Sequence, residues 1–307
     1  MAFAIVTADQ RLSAVPNTNI ILLAPTGWGK TYQARTLDPE TTLFVNAEAG
    51  DLALADWKGD VFNIREQAAL HNVHPWEAAR AMACLISGPD PAGGPNSPYG
   101  KTAFDWYEAT FGPASTFAKY KLIYWDSITV ASRWCFSWSK MQPQAFSEKT
   151  GKPDTRGAYG LLGQEMVTWL SVIQHTPGKS TICVGILDRM VDDLKRITWE
   201  PQIEGGKTGR EAPGIFDIVL TGADLTTADG TTYKAFVCHQ FNQFGFPAKD
   251  RSGCLELLEP AELRHGGGLG MLVDKVRARK RIDGALIQPQ PIAAGVNVPE
   301  PQAPGSV

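Results

Sequence analysis

Cysteine is sparse and dispersed: Cys84, Cys135, Cys183, Cys238 and Cys254 form no CxxC pair and lack the density of a disulfide scaffold. They read as reduced thiols of a cytoplasmic protein. No run approaches the roughly 18 apolar residues that a membrane span requires. The apolar stretch Ala2–Thr7 is short, has no basic lead and meets Asp9 and Arg11 at once, which argues against a signal peptide. Charge of one sign is missing too. A net charge of −3 provides no global basic field, so any contact with nucleic acid has to come from local patches. His71 and His74 could share a helix face, but no cysteine or carboxylate cluster completes a metal site with them. No Ser/His/Asp or Cys/His nucleophile arrangement is legible.

What is present is a set of short apolar runs, each leaving through a small or polar residue: Ile20–Ala24, Thr42–Val45, Lys121–Trp125, Thr181–Leu187, Phe216–Leu220 and Lys234–His239. They read as buried strands. Between them Pro75–Ile86 and Gly160–Gln174 carry apolar residues three and four apart, the period of a helix with one buried face. The alternation predicts an α/β fold, a mainly parallel sheet with helices on both faces. Ser87–Ser97 is dense in Gly and Pro and reads as a surface loop. From Gly284 the chain loses its apolar period. One domain over residues 1–283 and a disordered tail over 284–307 are expected.

Gly-Lys-Thr/Ser occurs four times, at Gly29–Thr31, Gly100–Thr102, Gly178–Ser180 and Gly206–Thr208. Only the first follows an apolar strand and opens a helical segment, Thr31–Leu37, so only it has the context of a phosphate-binding loop. Gly27 and Gly29 would let backbone amides converge on phosphate oxygens. The other three read as ordinary turns. The expected cradle is Pro25, Thr26, Gly27, Trp28, Gly29, Lys30, Thr31 and Tyr32. Its first position is Ala24 where the pattern has glycine, which is tolerable if that residue keeps a negative φ. A tight strand-to-helix turn without ligand is the plain alternative.

A magnesium-bound triphosphate needs an acid beside the metal and, for hydrolysis, a group that orients water; in parallel sheets both belong at the carboxyl ends of strands. Asp126 ends the run Leu122–Trp125 and precedes Ser127. It suits the Walker B role of holding Mg2+ together with the Thr31 hydroxyl, although a helix N-cap is an alternative. Glu48 follows Leu43–Ala47 and could reach a water in line with the γ-phosphate; an exposed loop glutamate is the alternative. Lys249 and Arg251 stand at alternate positions of an extended segment and so project on one face, as a phosphate contact or an exposed basic turn.

In order and spacing the phosphate loop, Phe44–Glu48 and Ile123–Ile128 resemble the RecA-like core. That likeness implies Glu48 as catalytic base and Asp126 as Walker B acid. Pro247–Gly253 resembles the Lys-x-Arg element by which replicative hexameric helicases and related ATPases reach the γ-phosphate of a neighbouring subunit, which implies self-association into a ring or filament with a shared ATP site. With Ser147–Asp154 and Pro201–Gly205, the stretch from Ala2 to about Ile282 is similar to phage-encoded ATP-binding proteins of the RecA-like AAA group, some of which are single-strand annealing ATPases. The resemblance implies ATP and Mg2+ as ligands, ATP hydrolysis, and single-stranded DNA as partner. Two departures stand out: Ala24, and Leu187 and Asp188 where RecA itself has a polar sensor.

By the same likeness Ser139–Gly157 and Arg189–Gly214 are candidate DNA loops. They carry Lys140, Lys149, Lys152, Arg156, Lys195, Arg196, Lys207 and Arg210, with Trp138, Phe146 and Trp199 nearby for base stacking. Interleaved acids dilute that charge, and a nucleotide-dependent switch that binds a protein partner with little hydrolysis is the competing reading. Lys275–Arg281 is either a phosphate grip or a solvated helix end.

Overall fold

The computed structural model describes residues 5–48, 50–191, 195, 197–263 and 266–279. Helix α1 (Ala8–Ser13) precedes β1 (Asn19–Ala24), β2 (Thr42–Asn46), β3 (Asp60–Asn63), α2 (Ile64–Leu70), α3 (Pro75–Ser87) and α4 (Lys101–Phe111). Then come β4 (Leu122–Asp126), α5 (Ile128–Ser139), α6 (Thr155–Gln174), β5 (Ser180–Val191), β6 (Ile197–Pro201) and α7 (Gly206–Ile215). The chain continues through β7 (Ile218–Thr226), β8 (Thr232–Val237), β9 (Lys249–Asp250), β10 (Leu258–Pro260) and α8 (Leu269–Arg277).

The sheet runs β10-β8-β7-β1-β5-β4-β2-β3, with β6 paired to β5 and β9 to β7. Strands β7, β1, β5, β4, β2 and β3 are mutually parallel, and β6, β8, β9 and β10 pair antiparallel to their neighbours. Alternating side chains feed two cores. Ile21 and Leu23 join Leu43, Val45, Ile123 and Trp125 under α3, α5 and α6, whereas Ile20, Leu22 and Ala24 join Phe44, Tyr124 and Ile182 under α8. Every residue of β1 is buried. This is the α/β arrangement expected, a mainly parallel sheet with helices on both faces and the strand that precedes Gly27–Thr31 in its middle.

Several boundaries differ from the expectation. Helix α6 begins at Thr155 rather than Gly160, because Asp154 caps it and Gly157 lies against the Gln144 carbonyl, where a Cβ would stand 2.0 Å away. Strand β5 does not stop at Leu187. It continues to Val191 and turns back as β6, and β7 likewise extends to Thr226 to pair with β8. The segment after Thr31 is a 3-10 helix ending at Thr36, not a longer helix, since Leu37 is already extended ahead of Asp38-Pro39. Two of the three remaining Gly-Lys-Thr/Ser copies open helices instead of making turns. Gly100 caps α4, and Gly206 starts α7. The predicted tail over 284–307 lies outside the described residues.

Candidate functional site

Strand β1 delivers the chain to the carboxyl edge of the sheet, where Pro25, Thr26 and Gly27 are exposed. Gly27 and Gly29 have φ of 79° and 105°, the left-handed region in which a Cβ is penalised. Ala24 is the last residue of β1, an extended position that needs no glycine. The Lys30 carbonyl accepts from the buried Tyr124 hydroxyl at 2.6 Å, which ties the loop to β4. The ammonium of Lys30 is buried and donates to the Ala24 and Pro25 carbonyls, each at 3.1 Å. Burial holds its pKa below the usual value, against the opposing pull of Asp126 and Glu48.

Strand β5 lies between β1 and β4, and Asp126 reaches across its end to the loop. The Thr31 hydroxyl donates to Asp126 Oδ2 at 2.6 Å. Asp126 is 2% exposed, and its Oδ1 is buried without a hydrogen-bond partner. Burial pushes its pKa up to about 7, opposed by the Thr31 hydrogen bond and aided by the Glu48 charge. The N-cap of α5 is Ser127, so Asp126 is not a capping residue. Glu48 leaves β2 beside Asp126: the two strands are in register at Asn46 and Asp126, and Ala47 N–H donates to the Asp126 carbonyl at 2.6 Å. Glu48 is exposed and accepts a short hydrogen bond from the Ser127 hydroxyl. Lys30, Thr31, Asp126 and Glu48 therefore form one cluster, and Tyr124 and Ser127 complete it.

Other residues read from the sequence stand elsewhere. Trp28 turns its side chain into the sheet core and presents only backbone to the loop. Tyr32 is half-exposed, with the Arg35 guanidinium 4.6 Å from its ring centre. Lys249 and Arg251 lie at the opposite edge of the sheet, since β9 pairs with Ile218 and Val219 at the start of β7. At about 3.3 Å per residue that is roughly 10–16 Å below Ala24. Lys249 donates to the Pro213 and Gly214 carbonyls at 3.0 and 3.4 Å, and Arg251 pairs with Asp217 at 3.4 Å. Neither reaches the loop of its own chain.

The DNA candidates are divided. Trp138 is buried under the Arg80 guanidinium and cannot stack on a base, whereas Phe146 is exposed and Trp199 packs against Phe246. Lys140, Lys149, Lys152, Arg156 and Lys195 are exposed; Lys207 and Arg210 face Glu211 and Glu200 at 3.7 and 3.6 Å. Arg196 lies outside the described residues. Much of Arg189–Gly214 is hairpin and helix rather than loop, and β5 passes the expected sensor position without ending, which leaves Leu187 buried and apolar there. In Lys275–Arg281, Lys275 pairs with the buried Glu259 at 2.6 Å and Arg279 donates to carbonyls at the end of α1; residues 280 and 281 lie outside the described residues. His74 caps α3 through its ring nitrogen. No described helix is long and apolar enough to cross a membrane.

The profile of the AAA domain family matches residues 16–252. No curated protein matches the chain. Two solved structures are similar to it at low identity. The RadB recombinase shares 12% identity over 81% of this chain and 92% of its own, with a TM-score of 0.31. The flagellar accessory protein FlaH from Methanocaldococcus jannaschii shares 11% over 85% and 92%, with a TM-score of 0.32.

Proposed function

The chain belongs to the AAA domain family, and from that premise we propose that it is an ATPase that self-associates and handles single-stranded DNA in recombination or replication, as some of the phage proteins it resembles do. The observation that carries the ATP site is the contact between Thr31 and Asp126, with the second Asp126 oxygen buried and unpartnered. A buried carboxylate oxygen is costly to leave unsatisfied, and a hard divalent cation is the partner it suits. Thr31 and Asp126 fit Mg2+, which when bound supplies positive charge against the β- and γ-phosphates.

The remaining steps belong to the chain's own side chains. Lys30 exchanges the Ala24 and Pro25 carbonyls for phosphate oxygens, while the amides around Gly27 and Gly29 face the same anion. Tyr124 keeps the Lys30 backbone in place during that exchange. Glu48, released from Ser127, accepts a hydrogen bond from the attacking water and aligns it with the γ-phosphorus. Lys249 and Arg251 act on the triphosphate of an adjacent subunit, a role their distance from their own loop supports.

Titration calorimetry with MgATP tests the site: the unaltered protein binds and Lys30→Ala does not. Equal binding by both would reject it. Fluorescence anisotropy with a labelled single-stranded oligonucleotide, with and without ATP at low and moderate salt, tests the DNA role. The local pairing of Lys207 and Arg210 with glutamates favours the second reading, a switch for a protein partner. Absence of oligonucleotide binding under every condition decides for that reading.

A further inference from the structure

Trp28 stands between two left-handed glycines, in a loop with little packed against either of them: a Cβ at Gly27 would meet nothing within 4 Å, and one at Gly29 only Tyr32 at 3.9 Å. A loop of that kind pays conformational entropy to hold one anion-ready geometry, unless something outside it fixes the shape. The indole of Trp28 is 3% exposed and lies flat on Gly222 of β7; a Cβ there would stand 2.8 Å from three of its ring atoms. Phe236, paired with Gly222 across β8, meets the indole edge-on at 5.5 Å between ring centres. Lys234 covers the ring with its ammonium 5.4 Å from the centre, held there by Asp224 at 2.9 Å. The antiparallel extension of β7 and β8 thus forms a seat for a single residue of the phosphate loop.

We propose that Trp28 is a positioning residue, a wedge seated on Gly222 and Phe236 that holds the phosphate loop in its nucleotide-binding shape. The inference rests on the reading of Ala24–Thr31 as an ATP site and adds to it the part of the molecule that sets the site's shape. Gly222 is required because only a hydrogen there leaves room for the ring. The wedge touches no phosphate; it acts by lowering the ordering cost of the amides and of Lys30.

The test is MgATP titration of the full chain carrying Gly222→Ala, Trp28→Leu, Trp28→Phe or the Gly222→Ala/Trp28→Leu pair, each confirmed folded by cooperative melting. Gly222→Ala and Trp28→Leu should each weaken ATP binding about tenfold or more, whereas Trp28→Phe, which keeps an aromatic on the seat, should lose less. The pair should bind better than the product of the two single losses predicts, because the smaller side chain accommodates the added methyl. A lowered melting temperature with unchanged ATP affinity would mean that Trp28 only stabilises the fold, and would overturn the proposal. If Gly222→Ala does not fold, the Trp28 variants decide alone, since they alter a loop side chain and leave the strand pair intact. Failure of the unaltered protein to bind ATP would instead overturn the nucleotide-site reading, and the wedge with it.

Discussion

Asp126 ends an apolar strand between β2 and β5, and its buried carboxyl has one hydrogen-bond donor, Thr31, for two oxygens. Desolvation therefore outweighs that bond and lifts its pKa from 3.8 to about 7. With the folded-state value above the unfolded one, protonation stabilises the native chain below the unfolded pKa, and that stability is lost as pH rises through about 7. Asp126→Asn removes the charge, so in the absence of metal and nucleotide it should raise unfolding free energy at pH 8 by at most ~4 kcal/mol, at about 1.4 kcal/mol per pKa unit. The gain should fade towards pH 4. Urea melts of both proteins at pH 5 and pH 8 measure this, and an equal difference at the two pH values would contradict it. The same substitution should abolish Mg2+-dependent ATP binding, because a neutral amide is a poor ligand for a hard cation.

Among the elements, α3, α5 and α6 form the layer under β1, β2 and β4, and a buried ion pair joins two of them. Arg80 of α3 meets Glu165 of α6 at 3.1 Å, Glu165 also accepts from Trp76 Nε1 at 2.9 Å, and the guanidinium lies over Trp138 of α5. Both side chains are nearly enclosed, at 12% and 13% exposure, so removing one leaves the other charged and unpaired. Arg80→Ala should cost about 3–5 kcal/mol, whereas Arg80→Met with Glu165→Leu should cost much less. Denaturant melts compare them; equal losses would show that packing rather than the stranded charge dominates. Pro75–Ile86 was legible from its apolar period, and the structure adds the end at Ser87 and the reciprocal caps of His74 and Glu77 ahead of Pro75. The β5–β6 hairpin was not: Arg189, Met190 and Val191 alternate too little, and pairing with Ile197–Pro201 supplies the order.

For the whole molecule, the decisive geometry is the separation of Lys249 and Arg251 from their own phosphate loop. The sheet holds them at its amino edge and the loop at its carboxyl edge. A phosphate contact by these residues requires a second copy docked end to edge. Arg251→Ala should leave ATP affinity unchanged and remove ATP turnover that rises with protein concentration. Stability should change by less than ~1 kcal/mol, since the Asp217 pair is half-exposed and long. Steady-state ATPase rates over a range of protein concentrations, with mass measurement alongside, give the answer; undiminished turnover in the variant would remove the case for a shared site.

The sequence by itself determined the class of fold, the Gly-Lys-Thr copy that leaves a central strand, and the acids that leave β2 and β4. Each of these is a local property: an apolar run, the glycines after it and the polar residue at its exit lie within a few positions of one another. Tertiary structure decided that Trp28 faces the sheet, that Trp138 is buried, that Asp126 has one partner for two oxygens and that Lys249 and Arg251 are remote from Lys30. Those facts depend on which strands become neighbours and how far each extends. Such pairings join residues up to some two hundred positions apart, and the energy that selects them, burial shared between distant segments, leaves no periodic signal in either segment alone.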